Sequence, residues 1–153
     1  MKLFKLFIPI LAAVTLLSSC NREYYGSSIY TRYYTVTPSD WQRNTGENNP
    51  GTYNYLYAEF ENPDITNDVV AAGTVQAYVY VIYNKDKNLG SWNPLPYLYP
   101  LEILKADNTI EIAPENLRLE FEPGVITFVI QDLDGFDPEQ ITNSMTIKVC
   151  VSL

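Results

Sequence analysis

No histidine occurs among the 153 residues, and there are only two cysteines, Cys20 and Cys150. Without imidazole the usual acid/base group for neutral pH is missing. Imidazole-ligated metal sites and Ser/His or Cys/His nucleophile pairs are thereby excluded. Two cysteines cannot make a disulfide framework, so stability has to come from a hydrophobic core. Basic residues are also scarce, 10 against 18 acids. Nucleic acid is an unsuitable partner for such a chain, because its affinity depends on Lys and Arg neutralising phosphates. What the chain has in excess is tyrosine, 13 residues, within an apolar fraction of 46%. That fraction is too high for a disordered chain, and the length suits one domain.

Residues 1–19 carry Lys2, Lys5 and no acid, followed by an apolar run from Leu6 to Leu17. About a dozen residues is too short to span a bilayer, which takes about 20, and matches the hydrophobic region of a signal peptide. The run ends in Leu17-Ser18-Ser19-Cys20, which resembles the lipobox of bacterial lipoproteins. That resemblance implies cleavage before Cys20 and a diacylglycerol on its thiol. The expected organisation is a signal peptide over 1–19, a polar tether over 20–28 and one domain over 29–153. Loss of Lys2 and Lys5 leaves 8 basic residues against 18 acids, a net charge of about −10. Such a balance gives no polybasic grip on anionic lipid, so the acyl anchor is the expected membrane attachment.

After the tether, period-two alternation dominates. Tyr30–Thr37, Tyr53–Glu61, Thr74–Tyr83, Leu101–Lys105, Thr109–Ala113, Leu117–Glu122, Val125–Asp132 and Met145–Ser152 read as strands. Thr74–Tyr83 is apolar or aromatic on both faces and is expected to be a central strand covered on both sides. Pro63–Val70, followed by Gly73, predicts a short connector helix, and Gln42–Thr52 a long loop. About eight strands punctuated by turns predict an all-β, antiparallel β-sandwich, Ig-like or jelly-roll Greek key. A closed β-barrel is the alternative. Cys150, in the last alternating run, is expected as a buried structural thiol.

Several landmarks occur together: Thr37-Pro38-Ser39-Asp40-Trp41, Ile65-Thr66, Gly73-Thr74-Val75-Gln76-Ala77-Tyr78, Trp92-Asn93-Pro94-Leu95-Pro96-Tyr97 and the closing Thr146-Ile147-Lys148-Val149. In this the chain resembles a group of small lipoproteins from Bacteroidota-type bacteria whose function is unknown. The resemblance implies a β-sandwich fold and an envelope location. It carries no catalytic residues. A single acid, Glu23, follows Cys20 within the next few residues, which leaves periplasmic and surface orientations both open.

Four features compete as functional sites. One is the tyrosine excess: Tyr24, Tyr25, Tyr30, Tyr33 and Tyr34 crowd the region next to the tether, while Tyr53, Tyr55 and Tyr57, like Tyr78 and Tyr80, would form same-face stripes that suit either sheet packing or a binding surface. Trp92–Pro100 holds three prolines, which read as a rigid extended loop carrying Trp92, Tyr97 and Tyr99. Exposed, these rings with Asn93 would form a platform for a glycan or a peptide; buried, they would plug one end of the sandwich, as would Trp41. Asp132, Asp134 and Asp137 flank Gly135 and suggest either a Ca²⁺ loop or a tight hairpin turn. The spacing departs from the EF-hand order, so the turn is the favoured reading and no metal is required. Carboxylates at i and i+2, Glu59 with Glu61 and Glu120 with Glu122, share one strand face within about 7 Å, without the facing geometry a glycosidase needs. The sequence thus predicts a non-enzymatic lipoprotein of the outer membrane without cofactors, acting as a structural or protein-interaction module. The alternative is a surface glycan-binding module.

Overall fold

A computed structural model describes residues 28–44, 55–131 and 138–153. Cys20 and the Asp132, Asp134 and Asp137 cluster, like Tyr53, lie outside the described residues. The described chain is a β-sandwich of two antiparallel sheets. Its strands are β1 (Ile29–Val36), β2 (Gln42–Asn44), β3 (Tyr55–Asn62), β4 (Thr74–Asn84), β5 (Leu89–Pro94), β6 (Tyr97–Leu104), β7 (Ile110–Glu122), β8 (Gly124–Gln131) and β9 (Met145–Ser152). One sheet has the order β1-β9-β4-β5, the other β2-β3-β8-β7-β6. The sheets do not close on each other, so the barrel alternative falls. Two strands are additional to the expected set, β2, where Gln42–Asn44 pairs with Tyr55–Tyr57 in place of a loop, and β5; the expected strands Thr109–Ala113 and Leu117–Glu122 are one, β7.

Alternation decides which side chains face inward. Met145, Ile147, Val149 and Val151 of β9 are buried, as are Ala77 and Val79 of β4 and Leu56 and Ala58 of β3. From the second sheet come Leu101, Ile103, Leu117, Ile126, Phe128 and Ile130. Phe128 sits at the centre, its ring 5.7 Å from that of Tyr34 and 5.9 Å from that of Phe60. Full burial of such side chains contributes about 1.5–3 kcal/mol each. A core of this kind needs no disulfide.

The connector is helix α1 (Asn67–Ala72), where Thr66 caps the start by accepting from the Val69 N–H. Gly73 ends it and lies so close to β9 that an added Cβ would stand 2.5 Å from the Ser152 carbonyl oxygen. Between β7 and β8, Pro123 precedes Gly124 at φ +83°, a conformation open to glycine. The Asp107-Asn108 turn forms as expected, with Asn108 at φ +62° and Asp107 accepting from both the N–H and the hydroxyl of Thr109.

Three expectations need correction. The proline-rich segment is not a loop: Trp92–Pro94 belongs to β5 and Tyr97–Pro100 to β6, with the crossing between sheets at Leu95-Pro96. β5 and β6 are edge strands, where a missing N–H costs no ladder bond, and Pro100 lies directly opposite Pro114. β4 is interior to its sheet but covered on one side only; its outward residues Tyr78 and Tyr80 stay half-exposed. Cys150 is half-buried on that same outer face, its Sγ 3.8 Å from the Thr31 Oγ1, because the even-numbered residues of β9 point away from the core.

Candidate functional site

The residues expected to act together are separated by the sheet crossing. Trp92 points outward from the four-stranded sheet and is 36% exposed. Tyr97 and Tyr99, past the Leu95-Pro96 corner, turn toward the core instead, and Tyr99 is only 7% exposed. The Tyr99 hydroxyl accepts from the Asn143 Nδ2 at 3.5 Å, and burial raises its pKa above the ordinary tyrosine value. Asn93 sits opposite Val79, and its Nδ2 donates to the Ser91 carbonyl and hydroxyl oxygens. Trp92, Tyr97 and Tyr99 therefore form no common platform.

Trp92 has other company. Register places Tyr33, Lys148 and Tyr78 in one row across β1, β9 and β4, and sets Tyr80 beside Trp92 across β4 and β5. All five side chains point away from the core. The Trp92 ring lies 5.1 Å from that of Tyr80 and 5.8 Å from that of Tyr33, at interplanar angles of 54° and 57°. The Lys148 Nζ stands 4.6 Å from the Tyr78 centroid and 4.8 Å from the Trp92 centroid, a cation held between two π faces. Gly90 completes the packing: a Cβ there would meet the Tyr80 ring at 2.6 Å, so the bare backbone is where that ring rests.

Electrostatics sets this face apart. None of the four strands β1, β4, β5 and β9 contains an aspartate or glutamate, in a chain with 18. Lys148 is the one charged residue among their outward positions, and it has no ion pair among the described residues. Strand acids are confined to the other sheet, at Glu59, Glu61, Glu102, Glu111, Glu115, Glu120 and Glu122.

A concavity lies on the outer face of that acidic sheet, an open polar cleft of about 390 Å³ that includes Arg43, Tyr55, Tyr57, Glu59, Glu120 and Thr127. Glu59 and Glu120 flank Thr127 in one row, so two carboxylates share the cleft. Both are exposed and solvated, and Arg118 pairs with Glu120. Glu115, buried opposite Tyr99, is engaged within the protein. Among the described residues no group of three or more Cys, Asp and Glu side chains is arranged to hold a metal ion, and no helix is long and apolar enough to cross a membrane.

Sequence reasoning found Trp92, Tyr33 and the same-face pair Tyr78 and Tyr80 separately; it missed Lys148 and the assembly of these rings around it. One signal was present: segments 29–36, 74–84, 89–94 and 145–152 are all free of acid. No family model, no curated protein and no solved structure matches this chain.

Proposed function

We propose that this protein is a lipid-anchored, non-enzymatic interaction module of the cell envelope, whose working surface is the outer face of the four-stranded sheet. One observation carries the reading. In an acid-rich chain, this face lacks carboxylates and gathers Tyr33, Tyr78, Tyr80 and Trp92 around Lys148. Binding surfaces are enriched in Tyr and Trp and depleted in Asp and Glu, and their energetic anchors are most often aromatic. The lipid anchor rests on Lys2, Lys5, the apolar run and Leu17-Ser18-Ser19-Cys20. The likeness to small Bacteroidota-type lipoproteins points the same way. The absence of imidazole and the solvated setting of Glu59 and Glu120 support a role without catalysis.

A photo-crosslinking residue tests the surface. Placed at Tyr33, which is 65% exposed, it should give a discrete adduct in intact cells, while the same residue at Glu111 on the other sheet gives none. Equal labelling at both positions, or none at Tyr33, sinks the reading. Radiolabelled fatty acid should enter the wild type and not Cys20→Ala.

A further inference from the structure

We infer that the occupant of this face is an extended anionic glycan, with a sugar ring against Trp92 and a sugar carboxylate on Lys148; the inference rests on the face being the working surface.

Size comes first. Four strands spaced about 4.8 Å apart span about 14 Å, and an eight-residue strand is about 27 Å long. The face therefore offers on the order of 400 Å², about half of the roughly 800 Å² that each partner contributes to a standard protein interface. A globular partner would have to spread onto surface that carries the acids. A single chain would not. An extended peptide normally docks by extending a sheet edge through backbone hydrogen bonds. The centre of a sheet face offers it none. What this face offers is rings, and an indole or phenol ring suits the C–H face of a sugar, being apolar in its body and polar at its rim.

Charge then selects among sugars. A neutral sugar is rich in hydroxyl donors, which carboxylate acceptors would satisfy. This face has none. An anionic sugar has hydroxyls too, but for it the same absence removes the repulsion such a polymer meets over the rest of a chain of net charge −8. Lys148 supplies the attraction. Its ammonium is positioned by the rings of Tyr78 and Trp92, which provide no counter-charge, and no carboxylate among the described residues pairs with it. Ammonium protons remain for a carboxylate, and charge-assisted hydrogen bonds of this kind are the strong ones.

The test uses the full chain purified in detergent, with hyaluronan, polygalacturonate and alginate as probes, each beside its carboxyl-reduced form. At least one acidic polymer should retard the protein in affinity electrophoresis. Carboxyl reduction or Lys148→Met should weaken that binding about tenfold or more, and Lys148→Arg should retain most of it. Trp92→Ala should abolish binding of both polymer forms, and retardation should fade as salt rises. Binding that survives carboxyl reduction unchanged overturns the inference. So does no retardation by any of the three. Should Lys148→Met fail to fold, the carboxyl-reduced polymers still read the charge term on the wild type. The two readings fail separately: a protein-only adduct at Tyr33 removes the glycan and keeps the face, whereas no adduct there removes the face itself.

Discussion

Gly90→Ala isolates how firmly the aromatic face is built. The new methyl would lie 2.6 Å from Tyr80 Cζ and 2.8 Å from the Tyr80 hydroxyl oxygen. Carbon atoms rest at about 3.5–4.0 Å, so the overlap is about 1 Å and the ring has to move. Swinging Tyr80 away breaks its pairing with Trp92, worth about 0.5–1.5 kcal/mol for an aromatic pair. Holding the ring in place shifts the strand instead, and overpacking of that kind costs about 1–3 kcal/mol. Alanine also recovers about 0.5–1 kcal/mol over glycine within a regular element. The net expectation runs from about neutral, where the ring swings away and the resonance of Trp92 moves, to a loss of about 2 kcal/mol in urea unfolding, where the strand shifts. A double-mutant cycle with Tyr80→Ala should show coupling of about 1 kcal/mol, since removing the ring removes the clash. With 5-fluorotryptophan, the resonance of Trp92 should shift while that of buried Trp41 stays put. A neutral or stabilised Gly90→Ala with both resonances unmoved would refute the reasoning.

Other expectations follow from the core and the turns. Phe128→Ala removes a ring enclosed by Tyr34 and Phe60 and should cost about 3–5 kcal/mol by denaturant unfolding. The Thr109 hydroxyl and N–H hold the Asp107 carboxyl below the usual carboxylate pKa, so its stabilisation is present above that usual value and fades as pH falls through the depressed one. An NMR titration should show this, and Thr109→Val should move the midpoint back up. Burial, joined by the Glu102 charge, raises the Tyr99 pKa. The stability this reflects is full below about pH 10 and lost as pH rises through the folded value, so phenolate absorbance should show Tyr99 ionising late, together with alkaline unfolding.

Most of the sandwich was legible because alternation is local. Met145 to Ser152 and Leu117 to Glu122 announce their buried faces within eight residues. Strand number and pairing are not local, and Gln42–Asn44 is too short to show a period. Proline misled for a physical reason: it signals the absence of an N–H partner, and an edge strand lacks one on its open side as surely as a loop does. The corner at Leu95-Pro96 then sends Trp92 outward on one sheet and Tyr97 inward on the other, five residues apart in sequence. The ring cluster draws on positions 33, 78, 80, 92 and 148, and only the registers of β1 on β9, β9 on β4 and β4 on β5 bring them together. Register is a tertiary fact, so the sequence shows the Tyr78 and Tyr80 stripe and the shared lack of acid but not the cluster itself.

A lipid on Cys20 would give the aromatic face an additional property. β1 begins at Ile29, opposite Ser152, and Tyr33 stands four residues along it. Residues 20–28, nine in all, span at most about 30 Å when extended, and four residues of strand add about 13 Å. A lipid on Cys20 would hold the rings within about 45 Å of the bilayer. A shallow site occupied by one sugar unit binds weakly by itself, since little of the ligand's surface is buried. A polymer repeats its unit, however, and anchored copies share one plane. Linked sites of this kind gain about 10²–10⁴ in overall avidity without any new contact. The lipidated chain, reconstituted into liposomes at high and low density, should therefore bind a long acidic polymer at least about tenfold more tightly at high density. A short oligosaccharide of the same sugar should show no density dependence, because it engages one site at a time. Equal polymer affinity at the two densities would mean that the copies do not act together, and the weak single site would then have to suffice.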